Sequence, residues 1–214
     1  MNDAPSERVT AQAAVEALRN WTSGQLRCDD IVYPIKYVIA PDGRLVTPVD
    51  RTMLEAVDCG LAIPDDDSPT IELAVTLEAF DRVHGAESNS DRWKIFHGNP
   101  PHQRWAMIDL DMARFGGCIL DGLAVQQPNP LAAVEPRICG LLNREYLEVL
   151  RHHLTRVLSL DVPDLRAVGL DPTGLHVRAR FDIVRLTFSK PIEDPAQAES
   201  QVLEFFNGKG TPNH

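Results

Sequence analysis

The amino-acid sequence predicts an α+β protein: a closed or half-closed barrel of short strands, then a smaller α/β domain. Three observations carry this. Short β-branched and aromatic runs fill most of the first 125 residues, with few long helices between them. A composition shift follows, with Pro128, Pro130 and Pro136 crowded into a short stretch. Beyond it an apolar stripe of helical period leads into three further strands and a closing helix. The boundaries read as a barrel domain over 1–125, a Pro-rich linker over 126–139, a C-terminal α/β domain over 140–207 and a mobile tail over 208–214.

The elements follow in order. Ala14, Val15, Leu18 and Trp21 form one stripe of a helix over 10–22, with Thr10 as its N-cap. Ser23-Gly24 ends it, and Gln25 to Cys28 is a short strand. Val32 to Ile39 is a second strand, and Pro41-Asp42-Gly43 turns the chain back into Arg44 to Val49. Proline presets the first turn position, Asp bonds its own backbone, and Gly accepts a left-handed conformation. Met53, Leu54, Val57 and Leu61 fill a short helix and the next strand. The acidic run Asp65-Asp66-Asp67 lacks the alternating ligands and glycine of a Ca²⁺ loop and reads as a solvated turn.

Thr70 to Phe80 alternates as a long strand, with Ile71, Leu73, Val75, Leu77 and Ala79 on one face. Arg92 to His97 is a short helix stopped by Gly98-Asn99-Pro100-Pro101. Trp105 to Met112 is a strand, Gly116-Gly117 leads into Cys118 to Leu120, and Asp121-Gly122 turns again. Arg144 to Leu160 reads as one helix with Asn143 as N-cap and Tyr146, Leu147, Leu150, Leu154, Val157 and Leu158 as its stripe. Leu165 to Leu170 and Leu175 to Arg180 form a hairpin through Asp171-Pro172-Thr173-Gly174. Phe181 to Phe188 is a third strand and Glu193 to Phe206 the last helix.

Composition excludes several classes. The formal charge is −10, with no Lys/Arg run, which disfavours nucleic acid. No apolar stretch approaches the ~20 residues of a membrane span, and the N-terminus reads as that of a cytoplasmic protein. Cys28, Cys59, Cys118 and Cys139 are far apart, without zinc-ligand spacing, and read as reduced thiols. His84, His97 and His102 cluster in one region, but no Cys or carboxylate at tight spacing completes a metal set. His152 and His153 diverge by ~100° on a helix; His153, nearer the apolar face, reads as a packing residue before a ligand. No metal site and no catalytic acid or base is assigned.

The hairpin, short helix and return strand over Ile31 to Pro64 resemble the opening of the flavin-binding split barrel of pyridoxamine 5'-phosphate oxidases. The Gly116-Gly117 strand and the C-terminal run from Asp171 and Gly174 through Arg185 to Phe188, Pro191 and Phe206 resemble the haem-utilisation oxygenase branch, with its appended α/β domain. The resemblance spans roughly residues 12–206. It implies a homodimer, with FMN or haem held at the groove between protomers and redox chemistry supplied by that cofactor. It also implies a cofactor site at Thr47, Val49, Arg51 and Thr52, where Arg51 and Thr52 would hold the flavin phosphate. His214 would be the haem ligand by its place beyond the C-terminal domain. Departures weigh on the other side: Asp50 puts a carboxylate at the phosphate place, and only His153 keeps its position in the family's histidine-bearing helix. The expected function is a flavin- or haem-binding split-barrel protein, an oxidoreductase of the haem-utilisation type. The alternative is a non-catalytic dimeric binding or interaction protein that kept the barrel and lost the cofactor site.

Overall fold

The computed structural model describes residues 7–66, 68–80, 87–158, 164–180 and 182–206. The chain is α+β and divides into two compact units, Met1–Pro128 and Asn129–His214.

In the first unit, helix α1 (Glu7–Arg19) precedes β1 (Ser23–Cys28), β2 (Ile31–Lys36), β3 (Val38–Ile39) and β4 (Leu45–Val49). Then come α2 (Arg51–Glu55), β5 (Cys59–Ile63), β6 (Ile71–Phe80), α3 (Glu87–His97), β7 (Arg104–Phe115), β8 (Cys118–Asp121) and α4 (Gly122–Val125). The strands form one curled antiparallel sheet in the order β2-β1-β5-β6-β7-β4-β3, with β8 also on β7. This path begins and ends on two pieces of one segment, Ile31–Ile39. Its first half pairs with β1 and its second half with β4, so a single bent strand serves both edges. Sharing a strand in this way covers edges that would otherwise expose a ladder of unpaired amides.

The bend lies at Tyr37 and is heavily tied. Tyr37 N donates to Thr22 O at 2.8 Å. The Lys36 carbonyl accepts from Trp93 Nε1 at 2.8 Å and from Thr47 Oγ1 at 2.9 Å. The buried Tyr37 hydroxyl reaches Leu18 O at 3.3 Å. Inward side chains from all the long strands, among them Leu26, Leu45, Leu61, Ile71, Ala106 and Ile108, make one core, closed by Leu18 and Val15 of α1. Gly43 adopts φ +93 in the expected turn. At Gly122 a Cβ would lie 1.7 Å from the Leu110 carbonyl, so only glycine lets α4 pack this close to β7.

The second unit holds α5 (Glu135–Glu145), α6 (Leu147–Leu158), a three-stranded antiparallel sheet of β9 (Arg166–Asp171), β10 (Gly174–Arg178) and β11 (Ile183–Thr187), and α7 (Ala198–Glu204). Its core joins Ile138, Leu142, Leu150 and Leu154 of the helices to Leu170, Leu175, Val177 and Leu186 of the sheet.

Several boundaries differ from expectation. Thr10 lies inside α1, not at its cap, and Trp21 is past the helix end and 42% exposed. The expected helix over 144–160 is two helices that part at Tyr146. Pro136 starts the first, where a missing N–H costs nothing. Asn143 is no cap: its side chain accepts from Ala167 N and donates to Ala167 O, at 2.8 and 2.9 Å, docking α5 on β9. The Pro-rich 126–139 segment accordingly includes the first turn of α5, with Leu131 and Ile138 fully buried. The last helix begins at Ala198, not Glu193. Val57 is 95% exposed, since α2 ends before it. Asp67, Phe181 and the 208–214 tail lie outside the described residues.

Candidate functional site

A cavity of about 290 Å³ opens on the first unit between the bent strand, β4, α2 and α3. Its walls are Ile35, Lys36, Thr47, Met53, Trp93, His97 and His102, with Asn99 and the prolines at 34, 48 and 101 at its rim. Trp93 is buried and packs against His97 and Trp105, with ring centroids 4.9 and 5.7 Å away. His97 Nε2 lies 2.9 Å from Tyr37 O. With the carbonyl as acceptor, that nitrogen carries the proton, and His97 helps hold the bend. His102 is half-buried at the cavity and close enough to Asp50 to favour its ionised form.

The four residues assigned to the cofactor separate into different environments. Thr47 is fully buried, lines the cavity and spends its hydroxyl on the Lys36 carbonyl. Val49 is also fully buried, in the barrel core. Arg51 points to solvent with its side chain 75% exposed, and its Nε is 2.5 Å from Glu55 Oε1. Thr52 donates to Asp50 Oδ1 at 2.7 Å and sits 3.3 Å from the Tyr33 hydroxyl.

Asp50 determines what this corner can accept. Its carboxylate N-caps α2, taking the Met53 amide at 3.0 Å as well as the Thr52 hydroxyl. The Thr52 hydroxyl, the Met53 amide and the nearby His102 together hold the Asp50 carboxyl below its ordinary pKa. The donors that would receive a phosphate are therefore already turned toward an internal anion, and a dianion there would meet like charge.

Elsewhere, His153 lies in α6 and is buried between Phe205 and Phe206, at centroid distances of 4.9 and 5.4 Å. Burial, with Arg156 and His152 adding repulsion, pushes its pKa down. The unfolded chain therefore takes up this proton first. Stability is complete above the unfolded pKa, near 6.5, and falls on acidification below it. Amide protection factors across β9–β11, corrected for the intrinsic pH dependence of exchange, are expected to fall as the pH drops below about 6.5, and His153→Gln to flatten that dependence.

Among the described residues, no three of His, Cys, Asp and Glu converge as metal ligands. Asp65 and Asp66 are exposed. His84 and His214 lie outside the described residues. Sequence reasoning missed Trp93 and Lys36 as cavity walls. Their signal was weak, because a Trp in a short helix reads as core, and the bend that brings Lys36 to it depends on non-local pairing.

No protein-family model matches the chain, and no curated protein matches it. Among solved structures, a protein of unknown function from Agrobacterium tumefaciens aligns over 96% of this chain and 98% of its own, with a TM-score of 0.69 at 14% identity. That likeness establishes a shared fold over both units. A heme binding protein from Mycobacterium smegmatis aligns over 95% of this chain and 97% of its own, with a TM-score of 0.43 at 16% identity.

Proposed function

We propose that this chain is a haem-binding split-barrel protein, acting as a cytoplasmic homodimer, that no longer takes flavin. The observation that carries the reading is the contrast between two neighbouring places. Beside α2, the corner where a flavin phosphate would lie holds the Asp50 carboxylate and an Arg51 already paired with Glu55. Next to it, the Trp93 cavity has apolar walls and is lined by His97, His102 and Lys36. Those are the group types a porphyrin would use: a flat apolar contact, an imidazole for iron and a cation for a propionate. In this reading His102 would hold the iron, since His97 Nε2 is committed to the strand bend.

At about 290 Å³ the cavity matches the small end of ligand sites and takes one edge of a porphyrin. The second protomer covers the remainder, which ties ligand binding to dimerisation. All four cysteines are present as thiols, which fits a reducing compartment. Any redox chemistry would be that of the bound group, with the protein supplying orientation and exclusion of water.

The smallness of the cavity and the structural use of His97 favour a second reading: a dimeric interaction protein with no cofactor. Haemin titration separates them. The wild type is expected to give a saturable Soret shift, and His102→Ala to lose the shift while keeping its fold. An identical shift in His102→Ala would remove that residue as ligand, and no saturable shift in the wild type would favour the second reading. Light scattering that gave the 23.8 kDa monomer mass at micromolar concentration would contradict the dimer.

A further inference from the structure

We infer that Cys28 and Cys59 form a reversible cross-strand disulfide, a thiol-modification site whose oxidising partner is a small-molecule disulfide such as oxidised glutathione. The two residues face each other directly in the antiparallel pairing of β1 with β5. Their sulfurs are 3.8 Å apart and both thiols are free. Just beyond them, Asp29 N donates to Asp58 O at 2.8 Å, which places the cysteines at a non-hydrogen-bonded position of the ladder. At such positions facing Cα atoms are about 4.5 Å apart and side chains approach most closely. Disulfides span Cα separations of about 4.4–6.8 Å, so the bond closes without moving either strand far.

The strand ends are pinned in this arrangement. Asp29 Oδ1 accepts from Val57 N at 3.1 Å and Asp58 N at 3.0 Å, tying the turn after β1 to the start of β5. Arg27 Nη1 bridges to Asp58 Oδ2 at 3.0 Å and to Asp29 O at 2.9 Å. Of the two cysteines, Cys28 is 4% exposed in the barrel core, while Cys59, on the same face of the sheet and packed against that core, is only half-buried and is among the residues that line a groove of about 460 Å³. That asymmetry orders the reaction. The Cys59 thiolate attacks one sulfur of the glutathione disulfide, breaking its S–S bond and releasing one glutathione thiolate, which takes a proton. The Cys28 sulfur, deprotonated in turn, attacks Cys59 and expels the second glutathione. Two protein thiols lose two electrons and two protons, and one glutathione disulfide becomes two thiols.

Burial raises both thiol pKa values, that of Cys28 to about 12. Asp29 and Asp58 beside Cys59 add to the rise and Arg27 opposes it, while Asp29 and Asp50 act on Cys28. Closure is therefore slow at neutral pH and accelerates as pH rises.

The full-length protein is incubated with oxidised glutathione at pH 7 and pH 9, alkylated under denaturing conditions, digested and mapped by mass spectrometry. The expected product joins the Cys28 and Cys59 peptides with loss of two hydrogens, forms faster at pH 9, and reverts with dithiothreitol. Its thermal midpoint should rise by several degrees over the reduced protein. Cys28→Ser is expected to trap glutathione on Cys59, because the resolving sulfur is gone. Full alkylation of both cysteines after oxidation, or a wild-type product that stops at a stable glutathione adduct on Cys59, would overturn the inference; the wild-type map stands even if the variant does not fold.

Discussion

Asp171→Ala is expected to cost the second unit about 3–5 kcal/mol. Asp171 ends β9 and Arg185 lies in β11, with β10 between them in the sheet. The side chains are only 10% and 6% exposed, and they pair in a fork: Nη1 to Oδ2 at 2.6 Å and Nη2 to Oδ1 at 2.8 Å. Arg185 Nη2 also donates to Thr173 Oγ1 at 2.8 Å, and the His176 ring lies 3.2 Å from Nη1. Asp171 Oδ1 further accepts the Thr173 amide and hydroxyl, both at 2.9 Å. The pair thus locks the hairpin turn and the third strand together. Removing the carboxylate leaves a buried cation without its partner, and the cost is chiefly that of the orphaned charge. The Asp171→Leu/Arg185→Met double variant is expected to recover most of the loss, since apolar groups need no partner. All three tryptophans, Trp21, Trp93 and Trp105, belong to the first unit. Tryptophan fluorescence therefore does not report the second unit directly, and the readout for Asp171→Ala is amide exchange in β9–β11, which should accelerate.

Trp93→Ala is expected to weaken the first unit by about 3–5 kcal/mol. The indole is 2% exposed, and its loss leaves a cavity against Trp105 and His97. It also removes the Nε1 donor from the Lys36 carbonyl at the bend on which the barrel closes. Thr47 still donates to that oxygen, so the carbonyl is not orphaned, and the cavity carries most of the cost. Trp93→Phe keeps most of the volume and is expected to lose far less. The midpoint of urea unfolding at constant slope reads this difference.

Local chemistry explains which parts of the fold were legible in sequence. The Pro41-Asp42-Gly43 turn and the alternation of Ile71, Leu73 and Val75 depend on neighbours within a few residues, and both stand in the structure. Barrel closure does not: β1 pairs with β5, and β4 with β7, across long stretches of chain, so no local pattern reveals that one bent strand serves two edges. Trp105 and Met107 show the same limit, for both faces of that strand half are buried once α3 covers it. Asp171 read as a turn residue, and its partnership with Arg185 appears only when β11 is placed.

The candidate site was half legible. The resemblance led to the β4–α2 corner, and Thr47 does line the cavity there. Asp50, noted as a departure, proves to be the N-cap of α2, a role any Asp before a short helix can take. Its consequence for phosphate depends on where Thr52 and Met53 aim their donors, which only coordinates give.

The most direct test of the proposed function is a side-by-side absorption titration of the purified protein with haemin and with FMN. The expected result is a saturable Soret shift at one haem per chain, abolished in His102→Ala, with the flavin spectrum unchanged on mixing. A saturable flavin shift without a haemin response would contradict the account, and would return the phosphate to Arg51 and Thr52.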